Sequence, residues 1–150
     1  MTNHKYLVSK LRQGTVIDHL RAGTALRALR VLRLPPGRTV SVGIYLESGR
    51  LERKDIIKIE DYELNEEEAA KVALISPHAT LSIIRDFEVT DKIDLHPPLR
   101  FKGILRCPNQ ACITNAENLR GSWLVIGRSP ITVRCEYCER SVSQEHLGFS

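Results

Sequence analysis

Cysteine is absent from the first 106 of the 150 residues, and long apolar runs are absent throughout the chain. A helix that spans a membrane needs about 18 or more consecutive apolar residues, so we expect no helix of that kind and no membrane partner. The first ten residues also lack the basic segment and the apolar stretch of a secretory signal. These absences favour a cytoplasmic location.

Sequence motifs of phosphate-binding loops and of common hydrolases are absent as well. Neither GxxxxGK[ST] nor GxGxxG occurs. The chain has no nucleophile elbow and no HExxH, and no isolated pair of acidic residues stands out as a general acid and a general base. We therefore predict that the chain is not an enzyme.

Positive charge is in modest excess, with a net charge of +4 and a sequence pI near 9.0. Such values are found in many nucleic-acid-binding proteins. Most of the excess lies from Arg100 onward, where 7 Lys and Arg residues accompany 4 Asp and Glu residues. All four cysteines of the chain also lie in that region, and four thiolates that bound one divalent cation would subtract two charges from it. The composition therefore requires no nucleic-acid partner, and we predict none.

Hydrophobic periodicity predicts six regular elements in the N-terminal two thirds of the chain. In chain order they are a strand in KYLVSKL, a helix in AGTALRALRVLRL, strands in TVSVGIYL and RKDIIKIED, a helix in LNEEEAAKVALISP and a strand in TLSIIRDFEV. The segment RQGTVIDH, before the first helix, is predicted to turn at Gly14. This order is typical of a ferredoxin-like domain, in which two helices cover one face of an antiparallel sheet. We assign this domain to residues 1–96.

Three of these elements carry more detailed predictions. The predicted buried face of the first helix consists of Ala22, Ala25, Leu26, Leu29 and Leu32. Alternation in the next strand places on one side Val40, Val42, Ile44 and Leu46. The second helix is predicted to begin with Asn65 as its N-cap and Glu68 as its third residue, in a reciprocal capping arrangement.

The remaining residues, 97–150, predict a small all-β domain, so the fold class of the whole chain is α+β. LHPPLR contains two prolines and is the predicted linker. The candidate strands are FKGILRC, SWLVIG and ITVRC, and no helical period is present. A domain of roughly 50 residues with few large apolar side chains has a core of marginal stability.

This second domain contains four cysteines with the spacing C-x4-C, 22 residues and C-x2-C: Cys107, Cys112, Cys135 and Cys138. Four thiolates complete the tetrahedral shell of Zn²⁺ and leave no position for a substrate, which is typical of a structural site. Metal binding would supply folding free energy on the order of 10 kcal/mol. We predict one structural Zn²⁺ per chain. The spacing alone leaves open a rubredoxin-like iron site, a redox dithiol in CEYC and two disulfides.

A second group of polar residues lies in the predicted sheet. Asp18 and His19 precede the first helix. Lys54 and Lys58 are four apart on one strand, so the strand period of two places them on one face. Two ammonium groups roughly 13 Å apart along a strand could hold a polyphosphate. Lys92 follows the last strand. Taken alone, these residues are also compatible with a solvated sheet face.

Together, the two groups of residues resemble the regulatory chain of aspartate carbamoyltransferase over nearly the whole chain. The resemblance is carried, in this order, by GTVIDH, RKDIIKIE, ATLSIIRDFEV followed by Lys92, RCPNQACITNAE and RCEYCE. It implies a non-catalytic subunit of pyrimidine biosynthesis whose N-terminal domain binds CTP as a feedback inhibitor and ATP as an activator. It also implies that the zinc domain docks on the catalytic chain and that regulatory dimers bridge catalytic trimers.

The resemblance further implies a set of nucleotide-binding residues: Val8, Leu11, Asp18, His19, Lys54, Lys58, Ser82, Ile84, Phe87, Val89 and Lys92. Asp18 and His19 would contact the base and the ribose, and Lys92 would contact the triphosphate. The four cysteines would be the zinc ligands. Ser82 and Phe87 stand where familiar members of the family carry Asn and Tyr, which bears on the discrimination between CTP and ATP.

Two other functions remain open from the residues alone. A zinc-ribbon nucleic-acid-binding protein would use Arg27, Arg30 and Arg33 of the first helix, with Trp123 or Tyr137 as a stacking platform. A redox enzyme would use the two cysteines of CEYC. Nucleic-acid binding would weaken steeply with salt, whereas a regulatory chain would bind CTP and co-purify with a longer polypeptide.

Overall fold

The computed structural model describes residues 10–49 and 52–150. The chain divides into two compact units, of which the first ends at His96 and the second runs from Pro97 to Ser150. Residues 95–99, within the predicted linker, carry no regular secondary structure. None of the helices in the described ranges is long and apolar enough to cross a membrane.

The first unit is an antiparallel sheet with two helices. Its elements are β1 (Gly14–Arg21), α1 (Ala25–Leu32), β2 (Val40–Glu47), β3 (Arg53–Glu60), α2 (Glu66–Ile75), β4 (Thr80–Arg85) and β5 (Glu88–Asp94). The strand order across the sheet is β2-β3-β1-β4-β5, and every neighbouring pair is antiparallel. The first four strands and the two helices have the ferredoxin-like order, so the predicted α+β fold is confirmed.

The core of this unit lies on the side of the sheet that faces the helices. Ile17 and Leu20 of β1, Ile57 and Ile59 of β3 and Leu74 of α2 are all fully buried. Burial of each such side chain contributes about 1.5–3 kcal/mol relative to exposure. Alternate residues of β3 face this core, so its two lysines lie on the opposite face of the sheet, as predicted.

Helix α2 begins as predicted. The Glu68 backbone N–H donates to the Asn65 side chain at 2.8 Å, and the Asn65 backbone N–H donates to the Glu68 carboxylate at 3.0 Å. The Tyr62 hydroxyl also donates to Glu68, at 2.7 Å. A cap of this kind stabilises a helix by roughly 1 kcal/mol because it pairs backbone donors that the helix itself leaves unpaired.

The first strand of the described residues begins at Gly14. Most of KYLVSKL is outside the described residues, and Lys10 and Leu11 do not belong to a strand. The segment predicted to turn at Gly14 forms β1 instead. Gly14 has a φ of 139°, and a Cβ atom at this position would overlap the backbone oxygen of Ile59. The glycine is therefore required by the close approach of β3, and not by a turn.

Helix α1 buries only part of the predicted face: Ala25 and Leu32 are buried as predicted, and Leu26 is not. Its buried residues are Ala25, Ala28 and Leu32, at positions i, i+3 and i+7, whereas Leu26 is 60% exposed. Both faces satisfy a helical period. The choice between them is made by the contacts of α1 with β3 and α2, which the local sequence does not specify.

Strand β2 does not keep the predicted alternation. Its register with β3 shifts between Gly43 and Leu46, so that Ile44 and Tyr45 together lie opposite the single residue Asp55. Tyr45 has a φ of 61°. A β-bulge of this kind interrupts the period of two. Ile44, predicted to lie on the same side as Leu46, is therefore 49% exposed.

The last predicted strand of this unit is a hairpin. TLSIIRDFEV is divided between β4 and β5 at Asp86 and Phe87, whose φ values are 51° and 65°. Two consecutive positive φ values are typical of a type I′ turn. The sequence Asp-Phe lacks the glycine that usually marks this turn, which is why periodicity alone predicted one continuous strand.

The second unit consists of short strands and one turn of helix. Its elements are β6 (Arg100–Lys102), β7 (Leu105–Arg106), α3 (Ile113–Ala116), β8 (Ser122–Arg128), β9 (Ile131–Cys135), β10 (Ser141–Ser143), a 3-10 helix (Gln144–His146) and β11 (Gly148–Phe149). One sheet has the order β10-β9-β8-β6, and β7 pairs with β11. The strands in SWLVIG and ITVRC are confirmed. FKGILRC is interrupted at Gly103 and Ile104, both with positive φ, and α3 was not predicted.

Candidate functional site

An open cavity of about 440 Å³ lies on the face of the first sheet that points away from the helices. It is lined by Val16, Asp18, His19, Leu46, Glu47, Lys54, Ile56, Lys58, Thr80, Ser82, Ile84, Val89 and Lys92. Sites for small molecules usually measure about 300–1,000 Å³. The lining combines apolar side chains with three lysines and two acidic residues, as a ligand with an apolar part and a charged part would require.

The strand register places two of the lysines on opposite sides of this cavity. Val16 of β1 pairs with Lys58 of β3 and, on its other side, with Ser82 of β4. Ser82 in turn pairs with Lys92 of β5. Neighbouring strands are about 4.8 Å apart, so the backbones of the two lysines are separated by three spacings, or roughly 14 Å. Both side chains can therefore reach a ligand that lies across β1 and β4.

Bulges bring to the cavity residues that regular strands would separate. In β1, Asp18 and His19 together lie opposite Ile56 of β3, and His19 has a φ of 55°. Adjacent residues of a regular strand point to opposite faces, yet these two side chains line the same cavity. A register shift between β4 and β5 likewise allows Val89 and Lys92, which are three residues apart, to line it together.

Asp18 organises the polar side of the cavity. Its Oδ1 atom lies 2.9 Å from Lys54 Nζ and accepts a hydrogen bond from the His19 backbone N–H at 2.6 Å. The Nδ1 atom of the His19 ring is 3.0 Å from the Thr80 hydroxyl. These contacts join β1 to β3 and β4 and fix the imidazole against the wall formed by β4.

The charge balance of the cavity favours an anion. Burial lowers the pKa of Lys58, and the nearby Asp18 carboxylate opposes that shift. The Lys58 ammonium is therefore partly desolvated and would gain from a further negative charge. The lining contains three lysines and two carboxylates, so the cavity carries an excess of positive charge.

Most of the predicted nucleotide-binding residues line this one cavity: Asp18, His19, Lys54, Lys58, Ser82, Ile84, Val89 and Lys92. Leu11 is buried and Phe87 is 63% exposed at the turn between β4 and β5, and neither belongs to the lining. Val8 lies outside the described residues. The contacts of these three residues with a nucleotide stay predictions.

Sequence reasoning did not assign a role in binding to the other lining residues: Val16, Leu46, Glu47, Ile56 and Thr80. The period of two could have identified Thr80, because it lies two residues before Ser82 on the same strand. Leu46 and Glu47 gave no such signal, since the bulge in β2 determines where they point.

The four cysteines of the second unit converge on one point. Their Sγ atoms all lie within 4.8 Å of one another. The distance between the Sγ atoms is 3.6 Å for Cys107 and Cys138 and 3.8 Å for Cys112 and Cys135. Cys107 follows β7, Cys112 precedes α3 and Cys135 ends β9. The C-x4-C pair therefore lies between β7 and α3, the C-x2-C pair begins at the end of β9, and each pair contributes two sulfur atoms.

These distances fit a tetrahedral metal site. Bonds of about 2.3 Å from Zn²⁺ to four sulfur atoms would place the sulfur atoms about 3.8 Å apart. A disulfide requires about 2.05 Å, so neither close pair is a disulfide and the alternative of two disulfides is wrong. Four thiolates would leave Zn²⁺ no open position. The geometry therefore fits a structural zinc ion.

Hydrogen bonds around the cysteines support this arrangement. The Asn115 side-chain N–H groups donate to the backbone oxygens of Cys107 and Asn109, both at 2.8 Å. The Thr114 hydroxyl is 3.1 Å from Cys112 Sγ. Burial raises the pKa of the Cys107 thiol to about 12. A cation at the centre of the cluster would offset this cost, because it stabilises the thiolate form.

The structure disagrees with parts of the two alternative functions. Trp123 is 1% exposed and cannot be a stacking platform for bases, although Tyr137 is 50% exposed. After Cys138 the described chain continues into β10. CEYC therefore lacks the following helix that is typical of a redox-active dithiol. Although burial opposes the shift, hydrogen bonds from the Arg140 backbone and the Asn109 side chain lower the pKa of Cys138 to about 6 without such a helix.

Comparisons with known proteins give matches over both units. A sequence model described as "Aspartate carbamoyltransferase regulatory chain, allosteric domain" matches residues 6–96, and one described as the metal binding domain of the same chain matches residues 100–147. A protein of Methanopyrus kandleri named aspartate carbamoyltransferase regulatory chain is 46% identical, over 93% of this chain and 92% of its own. Proteins of the same name from Pyrococcus abyssi and Thermococcus sibiricus are each 44% identical, over 93% and 91% of this chain and 94% and 91% of their own.

Proposed function

This chain belongs to the family of aspartate carbamoyltransferase regulatory chains, and from that premise we propose that it binds CTP and ATP as effectors and conveys their signal to catalytic chains. It has an allosteric domain and a metal-binding domain and, as a regulatory chain, is not itself an enzyme. Its place would be in pyrimidine biosynthesis. A cytoplasmic location belongs to the proposal, because four clustered thiols persist in a reducing compartment.

The cavity on the first sheet is the observation that carries this proposal. A nucleoside triphosphate has an apolar base at one end and several negative charges at the other, which matches an apolar floor bordered by three lysines. We assign the triphosphate to Lys92. Lys54 would contact the ribose and the neighbouring phosphate, and Lys58 would lie near the base and the ribose. The lysines would thereby divide their tasks along the length of the ligand.

Polar groups between the lysines would recognise the nucleoside. The Asp18 carboxylate is an acceptor for ribose hydroxyl groups, and His19 would lie beside it. Backbone groups around Ile84 and Val89 would contact the edge of the base. Ser82 is shorter than the Asn of familiar family members, so we expect the discrimination between CTP and ATP to differ from theirs.

The second unit would serve assembly. We propose that Cys107, Cys112, Cys135 and Cys138 are the ligands of one Zn²⁺ ion. The ion would contribute folding free energy on the order of 10 kcal/mol and so fix the surface that docks on the catalytic chain. Dimers of this chain would bridge catalytic trimers, and loss of the metal would release them.

Regulation would follow from a difference in affinity between two quaternary states. A nucleotide that binds one state more tightly shifts the assembly by that difference and by no more. Typical coupling free energies are about 1–3 kcal/mol, which corresponds to roughly 5- to 150-fold. A nucleotide with equal affinity for both states would bind without regulating.

Calorimetric titration of the full chain with CTP and with ATP, alone and with the catalytic chain, tests this function. Lys92→Ala should weaken CTP binding by about 10- to 100-fold, because a charged contact to the triphosphate is lost. The matched control is Lys102→Ala, which removes an exposed lysine of β6 and should leave the affinity unchanged. Unchanged affinity in Lys92→Ala would contradict the site, and a wild-type chain that binds neither nucleotide would contradict the function.

A further inference from the structure

Asp55 is a fully buried acidic residue between two residues of the cavity lining. Its neighbours on β3, Lys54 and Ile56, line the cavity, whereas Asp55 lies on the helix side of the sheet with 0% of its surface exposed. Burial of a carboxylate is costly unless hydrogen bonds compensate for the lost water. The partners of this carboxylate therefore indicate what it contributes to the unit.

Three backbone N–H groups donate to Asp55. The Tyr45 N–H donates to Oδ1 at 2.9 Å, and the N–H groups of Gly23 and Ala25 donate to Oδ2 at 3.0 Å each. Tyr45 lies in the bulge of β2. The other two donors flank the start of α1, where the N-cap residue Thr24 makes no side-chain capping hydrogen bond. One carboxylate thus anchors the bulge and caps the helix.

The bulge of β2 determines which residues of that strand reach the cavity. Beyond it, Leu46 pairs with Lys54 and Glu47 pairs with Arg53, and both residues of β2 line the cavity. Without the extra residue the register with β3 would slip by one position and their side chains would change sides. The bulge of β1 lies opposite the next residue of β3, so both bulges beside β3 are at the level of Asp55.

We propose that Asp55 is a positioning residue for nucleotide binding, whose carboxylate holds the β2 bulge and the start of α1 in the arrangement that forms the cavity wall. It touches no ligand itself. The inference rests on the proposed nucleotide binding. Glu68 provides a contrast, because it is also a buried carboxylate at the start of a helix. Neither of its partners, Asn65 and Tyr62, lies in a bulge or next to a residue of the cavity lining, whereas Tyr45 lies in the β2 bulge directly before a residue of that lining.

The substitution Asp55→Asn tests the inference with little change in size. The amide group would place N–H donors against either the Tyr45 N–H or the N–H groups of Gly23 and Ala25, so one of the two sets loses its acceptor whichever way the amide turns. In the zinc-loaded full chain, calorimetry should give a CTP affinity about tenfold or more below that of the wild type. The matched variant Glu68→Gln should bind CTP as the wild type does.

Two outcomes would overturn the positioning role. One is an unchanged CTP affinity in a folded Asp55→Asn chain. The other is an equal loss of affinity in Asp55→Asn and Glu68→Gln, which would indicate general destabilisation of the unit. A wild-type chain that binds no CTP would instead overturn the proposed function, so the two failures are distinguishable.

Hydrogen exchange in the wild-type chain decides the question if Asp55→Asn does not fold. If CTP binds only when the bulge is formed, then bound CTP should make local unfolding of the bulge rarer. Saturating CTP should therefore slow exchange of the Tyr45 amide by about tenfold or more, with a much smaller effect on the Asn65 amide, which bonds to Glu68. Equal slowing at both amides, or none at Tyr45, would overturn the inference.

Discussion

Removal of the metal should unfold the second unit and leave the first unit folded. The second unit runs from Pro97 to Ser150, a length at which an apolar core alone gives marginal stability. The four thiols lie within 4.8 Å of one another and come from the ends of β7, α3 and β9 and from the turn after β9. Without an ion, only weak contacts between thiol groups would hold these ends together.

The expected loss is comparable to the whole stability of the unit. The largest fully buried side chains of this unit are Trp123, Ile131 and Val133. Folded domains have a net stability of about 5–15 kcal/mol, and a domain of this size needs a staple such as a metal ion to reach it. A structural Zn²⁺ ion supplies on the order of 10 kcal/mol of that total. The free energy of unfolding of the metal-free unit should therefore be close to zero or negative.

Trp123 provides the assay, because it is the only tryptophan of the chain. It pairs with Cys135 across β8 and β9 and is 1% exposed. Chelation should shift its fluorescence emission to the longer wavelengths of a solvated indole. CTP binding by the same sample, measured by calorimetry, should persist because the cavity belongs to the first unit.

Re-addition of metal is the control for this experiment. Zn²⁺ should restore the buried emission, whereas Mg²⁺ should not, because Mg²⁺ prefers oxygen ligands. Cys135→Ser should behave like the chelated wild type. Buried emission from Trp123 in material that elemental analysis shows to be metal-free would refute the reasoning, since the core would then suffice without an ion.

Three further predictions concern single residues. Thr114→Val should weaken zinc affinity by roughly 10- to 100-fold in competition with a chelator, because it removes the hydroxyl beside Cys112 Sγ. Burial lowers the pKa of Lys58. Because binding of an anion favours the ammonium form of Lys58, CTP affinity should fall as the pH rises through that pKa. The variant Lys58→Arg should keep its CTP affinity to higher pH, since the guanidinium group stays charged. Gly14→Ala should lower the free energy of unfolding of the first unit by at least about 2 kcal/mol in denaturant titrations, because its Cβ would overlap β3.

Strand β3 and helix α2 were predictable because their local pattern agrees with their tertiary environment. Lys54, Ile56 and Lys58 alternate along β3 with Asp55, Ile57 and Ile59, and the sheet places the two sets on its two faces accordingly. Asn65 and Glu68 are close in sequence and bond to each other, so no distant residue had to be known. Consistency of this kind is what makes a sequence specify its structure.

The face of α1 and the alternation of β2 were not predictable from local sequence. The contacts of α1 with other elements select Ala28 over Leu26 for its buried face. In β2 the position of the bulge depends on the carboxylate of Asp55, which accepts a hydrogen bond from the Tyr45 N–H and lies ten residues later in the chain. A periodicity counted within one element contains no information about a partner on another element.

The two candidate sites differ in how much of each could be predicted. The identity of the cysteines and their convergence followed from their spacing, because four thiolates have one common solution around Zn²⁺. The cavity residues were named only through a family resemblance. Their arrangement depends on bulges that bring Asp18 beside His19 and Val89 beside Lys92, and a strand period of two predicts the opposite.

The irregularities of the first sheet are concentrated at its cavity, which is itself an argument about function. His19 and Tyr45 have positive φ values, and each such conformation costs a residue other than glycine about 1 kcal/mol or more. Regular strands would avoid this cost. The bulges persist because Asp18, Thr80 and Asp55 hydrogen-bond to these two residues. The bulges allow side chains of adjacent residues to reach one face of the sheet, beside three lysines. Strained residues kept at such a place are expected where a ligand is bound.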